Sequence, residues 1–340
     1  MRYTNTASIP LPLAWRLMHD TYSKGDSDLT VTQVLTPAYQ ARLGRERDGE
    51  IVVDVQDVIY RLLGTLMHDA LEQAVKDMKA APREEVEAFI HSFASSMGVE
   101  SLADDIDPRY IDEMQAEVRL YMPVLGITFG GKFDLYYRNR RGEYVLADYK
   151  LVSEWEYVLG SKEERAQQLN MLRALAIYNG WRVDRIEIVY VWRDWKKTAA
   201  AFDPEKPQSQ GLRMGLPIWT DNKALTFIEE RVAAHLSEVE GPCSSEERWE
   251  KKPSFAVMKD GLKRASKVEP SYDEAMAWAR WKKLTTAAQF GEVVVEELIK
   301  GVSIVERPGE NTRCVRFCDV ARFCDFGRAL LAAPESVEVS

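Results

Sequence analysis

The sequence has little that would send it into or across a membrane. No stretch approaches the roughly 18 consecutive apolar residues of a spanning helix. The opening, "MRYTNTASIPLPLAW", lacks the basic start, apolar run and small-residue cleavage site of a secretory signal. A cytoplasmic location without a membrane partner is the expectation. Cysteines number four in 340 residues, and in a chain without a secretory signal they are not expected in disulfides. No internal repeat or low-complexity segment stands out. A net charge of −9 excludes an overall basic coat for gripping nucleic acid. A local basic groove stays compatible with it, because phosphate neutralisation acts over about 10 Å. The runs "WRDWKK", "RWEKKP" and "WARWKK" would allow such a groove, although a solvated face is the plainer reading of each.

What is present is ordinary globular material, 46% hydrophobic and 29% charged, enough for one large domain or two smaller ones. Apolar residues at 58, 59, 62, 63, 66, 67, 70, 71, 74 and 75 predict an amphipathic helix from about Val55 to Val75, with acidic helical material continuing to about Glu117. "ITFGGKFDLYYRNRRGEYVLADYKLV" reads as two strands joined by a turn at Arg138 to Glu143. "SKEERAQQLNMLRALAIYNG" reads as a helix with Ser161 as N-cap and Gly180 as stop, and "DRIEIVYVW" as another strand. This order predicts an α/β (α+β) fold, a mixed central sheet flanked by helices. The Val145 and Ile186 strands should be parallel across a right-handed crossover. The texture changes near Gly241. Residues 1–240 are expected to form the core domain with a helical N-terminal region, 241–330 a cysteine-containing module, and 331–340 a tail. In that module a helix from about Ser271 to Lys300, broken once, is expected.

The stretch "VLADYKLV" carries the chemistry. Asp148 and Lys150 share one strand face, and burying them is costly unless each is partnered. With the turn centred on Arg141, Asp134 lies opposite Asp148, about 4.5–5.5 Å away between Cβ atoms. Two carboxylates that close repel unless a cation lies between them, and Mg²⁺ suits such a pair. A cross-strand salt bridge is the plainer alternative for Asp148 and Lys150 alone. Gln168, near the middle of the face made by Leu169, Leu172, Leu175 and Ala176, must satisfy a buried group or line a cleft. His68 borders the apolar stripe of its helix one turn after Gly64, a glycine read as permitting close packing on the sheet. It is either structural or a ligand to a nearby carboxylate couple.

Cys314, Cys318 and Cys324 lie within the eleven residues "CVRFCDVARFC". They are metal ligands or free core thiols, and Cys243 is the natural fourth member. Four thiolates suit Zn²⁺ or a [4Fe–4S] cluster, and spacing does not separate these.

Gly64-x3-His68, "GGKFDL", "ADYK" and "QLNML", in that order, resemble the four motifs of RecB-type nucleases in the PD-(D/E)xK superfamily, over about Gly64 to Trp192. The resemblance implies a restriction-endonuclease-like core and a Mg²⁺- or Mn²⁺-dependent deoxyribonuclease. His68, Asp134, Asp148 and the Leu151 carbonyl would hold the metal, Lys150 would orient or activate the attacking water, and Gln168 would match the helix-motif glutamine. Asp148 stands where glutamate is commoner, and Leu172 where the motif has tyrosine. RecB-like exonucleases of the CRISPR-associated and AddB types carry an iron–sulfur staple, and Cys243, Cys314, Cys318 and Cys324 resemble it. Here, however, all four follow the core, and the C-x3-C spacing differs from the tighter pair in those families. The tail around "EERWEKKPSFAVMKDGLKRASKV" also resembles phage and prophage nucleases. The implied activity is phosphodiester hydrolysis at DNA ends or on single strands in phage, recombination or repair metabolism, alongside a recombination or replication protein. The alternative is a catalytically silent nuclease-like DNA binder.

Overall fold

Alternating apolar residues build a six-stranded mixed sheet in the first part of the chain. The computed structural model describes residues 2–19, 23–97, 103–158, 163–290 and 293–332. In chain order, β1 is Leu29–Thr30, α1 Ile59–Ala80, β2 Gln115–Val124, β3 Ile127–Arg138 and β4 Tyr144–Val152. Then come α2 (Glu163–Tyr178), β5 (Arg185–Trp192), β6 (Gly211–Leu216) and α3 (Asp221–Leu236). The sheet order is β1-β3-β4-β5-β6, with β2 also paired to β3.

The helix-flanked sheet has the architecture expected from the element order. β4 and β5 are parallel, Asp148 beside Ile188 and Lys150 beside Tyr190, with α2 between them in sequence. On one face α2 and α3 bury Leu169, Leu175, Ile228 and Val232 against Leu146 and Ile188. On the other, Val86 and the α1 residues Val75 and Met78 pack on Leu135, Tyr137 and Val145. At Gly131 α2 packs tightly onto the sheet. A Cβ there would stand 2.6 Å from Leu172 Cδ2 and 2.7 Å from Val31 Cγ2. The second glycine of "GGKFDL" is therefore a packing requirement.

The β3–β4 turn forms as its residues dictate. Asn139 Oδ1 accepts from the amides of Arg141 and Glu143, and Gly142 takes φ +81°. Leu135 pairs with Ala147 and Arg138 with Tyr144, the register of a turn centred on Arg141. α2 ends before Gly180, at φ +81°, where Trp181 N–H reaches back to the Ala176 carbonyl. Its proposed N-cap, Ser161, lies outside the described residues.

Three elements differ from the sequence reading. Residues 115–117 are strand, not helix: β2 alternates Val118, Leu120, Met122 and Val124 inward along β3. α1 buries none of its residues fully, so its stripe is broad but half-covered, with Leu63 and Leu66 exposed. The helix expected over Ser271–Lys300 covers only Tyr272–Trp281, capped by Ser271. Strands Thr285–Phe290 and Val293–Leu298 pair after it, because the β-branched residues Thr285, Thr286 and Val293 to Val295 favour extended backbone.

The chain divides into two compact units, 1–41 with 52–239 and 42–51 with 240–340. That 42–51 belongs with the C-terminal unit is decided by tertiary contacts; Arg47, for instance, sits over the Phe323 ring. In the second unit the antiparallel strands Lys267–Glu269, Ser254–Lys259 and Val302–Arg307 carry the Tyr272–Trp281 helix on a small core of Val257, Ala275, Ala279 and Leu284.

Candidate active site

β3 and β4 part where the aspartates begin. β2 pairs along one edge of β3. The other edge is shared: β1 takes Phe129 and Gly130, and β4 takes Leu135 to Arg138. At the parting Asp134 Oδ2 accepts the Tyr149 amide at 2.7 Å, a side chain substituting for a backbone rung. A cleft of about 640 Å³ opens there, and α1 and α2 contribute to its walls.

The cleft gathers His68, Asp134, Asp148, Lys150 and Gln168, four elements' worth of residues chosen from sequence. Asp148 is 2% exposed. One of its oxygens lies 2.6 Å from Lys150 Nζ and the other accepts from Gln168 Nε2 at 3.1 Å. The buried carboxylate is thus partnered on both oxygens, the condition for keeping it inside. Leu172 also lines the cleft, an apolar wall at the position of the motif's tyrosine. Leu151 is not among the lining residues, while its neighbour Lys150 is.

Glu117 was not singled out from the sequence. It sits on β2 at φ +54°, a left-handed conformation that costs a non-glycine residue about 1–3 kcal/mol. That turn of the backbone brings Glu117 Oε1 to 3.0 Å from His68 Nδ1, which is also 3.4 Å from Asp134 Oδ1. Donor atoms of His68, Glu117 and Asp134 all fall within 4.8 Å of one another, and this is the one such group among the described residues. Lys132 pairs with the second Glu117 oxygen. The period-two pattern of "EVRLYMPV" marks a strand beginning at Glu117, but nothing in it gives the carboxylate a part in the site.

The electrostatics of this grouping follow from its burial and its close charges. Burial, and then the charge of Asp148, push the Asp134 carboxyl up to about 7. The hydrogen bond to Glu117 raises the His68 imidazole, aided by the charge of Asp134 and opposed by burial. Burial works to raise Glu117, but hydrogen bonds from His68 and Lys132 prevail and lower it. A proton on His68 therefore lies between two carboxylates. One imidazole and two carboxylates, crowded and partly desolvated, form an oxygen-rich donor set that fits Mg²⁺ or Mn²⁺.

Gly64 does not serve close packing. A Cβ there would meet nothing within 4 Å, and Gly64 instead lines the cleft one turn before His68.

In the second unit Cys243, Cys314, Cys318 and Cys324 are partly buried and free of disulfides. Burial, then the neighbouring Cys324, raise Cys314. Cys318 is pushed up to about 11 by burial, with Cys314 and Cys243 adding to the rise. Arg248 draws the distant Cys243 in: it donates to the Cys243 carbonyl and to Asn311 Oδ1 at 2.9 Å, and its guanidinium lies over the Phe326 ring. Among the described residues no three of the sulfurs come within 4.8 Å of one another.

No protein-family model matches the chain, and no curated protein matches it. A solved structure, the crystal structure of SSO0001, aligns with a TM-score of 0.38 at 15% identity, over 70% of this chain and 87% of that one. A likeness that distant carries no argument about activity.

Proposed function

We propose that the chain is a Mg²⁺- or Mn²⁺-dependent deoxyribonuclease. The observation that carries this reading is the convergence of His68, Glu117 and Asp134 in the cleft that holds Asp148 and Lys150. His68, Glu117 and Asp134 would hold the cation, with Asp148 beside them. When bound, the ion would supply Lewis acidity toward the phosphoryl oxygens and lower the pKa of its water. The remaining work falls to the chain. Lys150, held by Asp148, presents an ammonium to the charge that develops on the phosphoryl group, at little reorganisation cost. Gln168 fixes the second Asp148 oxygen, and the Tyr149 amide fixes Asp134, so both carboxylates are oriented before substrate arrives.

The cysteine group is proposed to hold a metal centre that ties the end of the second unit together. The centre is proposed as a [4Fe–4S] cluster, with Zn²⁺ the alternative that four thiolates would equally accept.

The test is incubation of end-labelled linear and circular DNA, single- and double-stranded, with the protein and Mn²⁺. Cleavage that needs the ion and is lost in Asp134→Asn supports the reading. DNA binding without cleavage under any divalent ion would replace it with a silent nuclease-like binder, a role to which the Leu172 wall is suited.

A further inference from the structure

We infer that the corner beside the cleft, built around Tyr60 and Trp155, is a stacking platform for the bases of single-stranded DNA. The inference rests on the nuclease reading for its place in a reaction, and on separate residues for its evidence. Tyr60 is 59% and Trp155 55% exposed, large rings that contribute little to either core. A single exposed aromatic needs no explanation. Three features of this corner do.

Each ring carries a cation. Arg193 Cζ lies 4.1 Å from the Tyr60 centroid, and Lys206 Nζ lies 6.0 Å from that of Trp155 while pairing with Glu154 at 2.5 Å. A ring beside a positive charge is the combination that holds a stacked base and its phosphate. Trp155 and Arg193, the cation over Tyr60, also share one junction, the C-terminal ends of the parallel strands β4 and β5. The Arg193 amide donates to the Val152 carbonyl, the adjacent Asp194 accepts from Ser153 Oγ and the Glu154 amide, and Ser153 Oγ accepts from the Trp155 amide.

The third feature is the path to the reacting centre. Tyr60, Gly64 and His68 follow one side of α1 at intervals of four. Eight residues span about 12 Å, the rise of three or four stacked bases at roughly 3.4 Å each. Between the ring and the histidine stands Gly64, where an added Cβ would meet nothing within 4 Å beyond its own stretch of helix. A mid-helix glycine costs about 1 kcal/mol relative to alanine, and packing does not require it here. It leaves the helix surface bare between platform and cleft. A duplex hides its base faces, so this path suits an unpaired strand.

The test measures equilibrium affinity for a fluorescein-labelled single-stranded 12-mer and for a blunt duplex, in Ca²⁺ so that binding is separated from turnover. Trp155→Ala and Tyr60→Ala are expected to weaken the single strand by roughly 5- to 100-fold each and the duplex far less, with Trp155→Phe and Tyr60→Phe restoring most of the loss. Gly64→Leu, which has room to fold, is expected to weaken the single strand as well. Unchanged single-strand affinity in the alanine variants, or an equal loss on both substrates, overturns the platform. The outcome is independent of cleavage: oligonucleotide that binds through the rings yet survives Mn²⁺ intact removes the nuclease reading and leaves the platform standing.

Discussion

Asp134 Oδ2 accepts the Tyr149 amide at 2.7 Å while Asp134 Oδ1 lies 3.4 Å from His68 Nδ1. One carboxylate thus closes the sheet with one oxygen and faces the cleft with the other. Structure and chemistry load the same side chain in opposite senses, and this makes its contribution to stability depend on pH.

Burial, and then the charge of Asp148, push the Asp134 carboxyl up to about 7 in the folded chain, above the 3.8 of an ordinary aspartate. Between those values the folded state binds more protons than the unfolded one, so this group's contribution to stability falls as pH rises from about 4 through 7. The metal-free protein should melt at a lower temperature at pH 8 than at pH 5.5 on this account. Asp134→Asn, which can still accept the Tyr149 amide, should shrink that difference in melting temperature and abolish cleavage. Thermal melts of both proteins at the two pH values, with EDTA, decide it.

Mg²⁺ or Mn²⁺ should reverse the trend. Binding requires the ionised carboxylates, so the melting-temperature gain on adding the ion is expected to be larger at pH 8 than at pH 5.5. An equal gain at both would place the ion elsewhere.

Glu117→Gln should lower affinity for the divalent ion at least tenfold by calorimetry. It should also bring the His68 imidazole back toward its ordinary 6.5, because the hydrogen bond to Glu117 is the largest cause of its rise. An NMR titration of the His68 ring reads the second effect directly. A His68 pKa unmoved in the variant would mean the 3.0 Å contact does not govern the ring.

Lys150→Ala leaves Asp148 buried beside an absent partner, and loss of about 3–5 kcal/mol is expected along with loss of cleavage. Replacing both, as Asp148→Asn with Lys150→Met, should recover much of the stability and none of the activity. Urea melts of the two singles and the double separate a structural pair from a reacting one. A Lys150→Met protein that cuts DNA at the wild-type rate removes the lysine from the chemistry.

Cys318 sits in surroundings that push its thiol up to about 11, so in the absence of a bound cation it should alkylate slowly at pH 7.5. Protein purified without oxygen should show iron and sulfide in stoichiometric amount, and Cys318→Ser should lose both and lower the melting temperature. Zinc in place of iron would overturn the cluster assignment while keeping the ligands.

Much of this protein is written in local pattern. The β3–β4 turn, its register and the parallel pairing of β4 with β5 follow from period-two alternation, Asn139 and Gly142, because short-range backbone preferences and the burial of one strand face fix them. Asp134, Asp148 and Lys150 could be placed on one face for the same reason, while Gln168 joined them only through the resemblance of its helix motif. Glu117 could not. Its part depends on a left-handed backbone angle and on the meeting of β2 with a helix some fifty residues earlier, and no local preference of a glutamate encodes either. Gly64 shows the same division from the other side. Its presence is visible in the sequence, but whether it makes room for protein or for a ligand depends on what surrounds it, and only the folded chain supplies those neighbours.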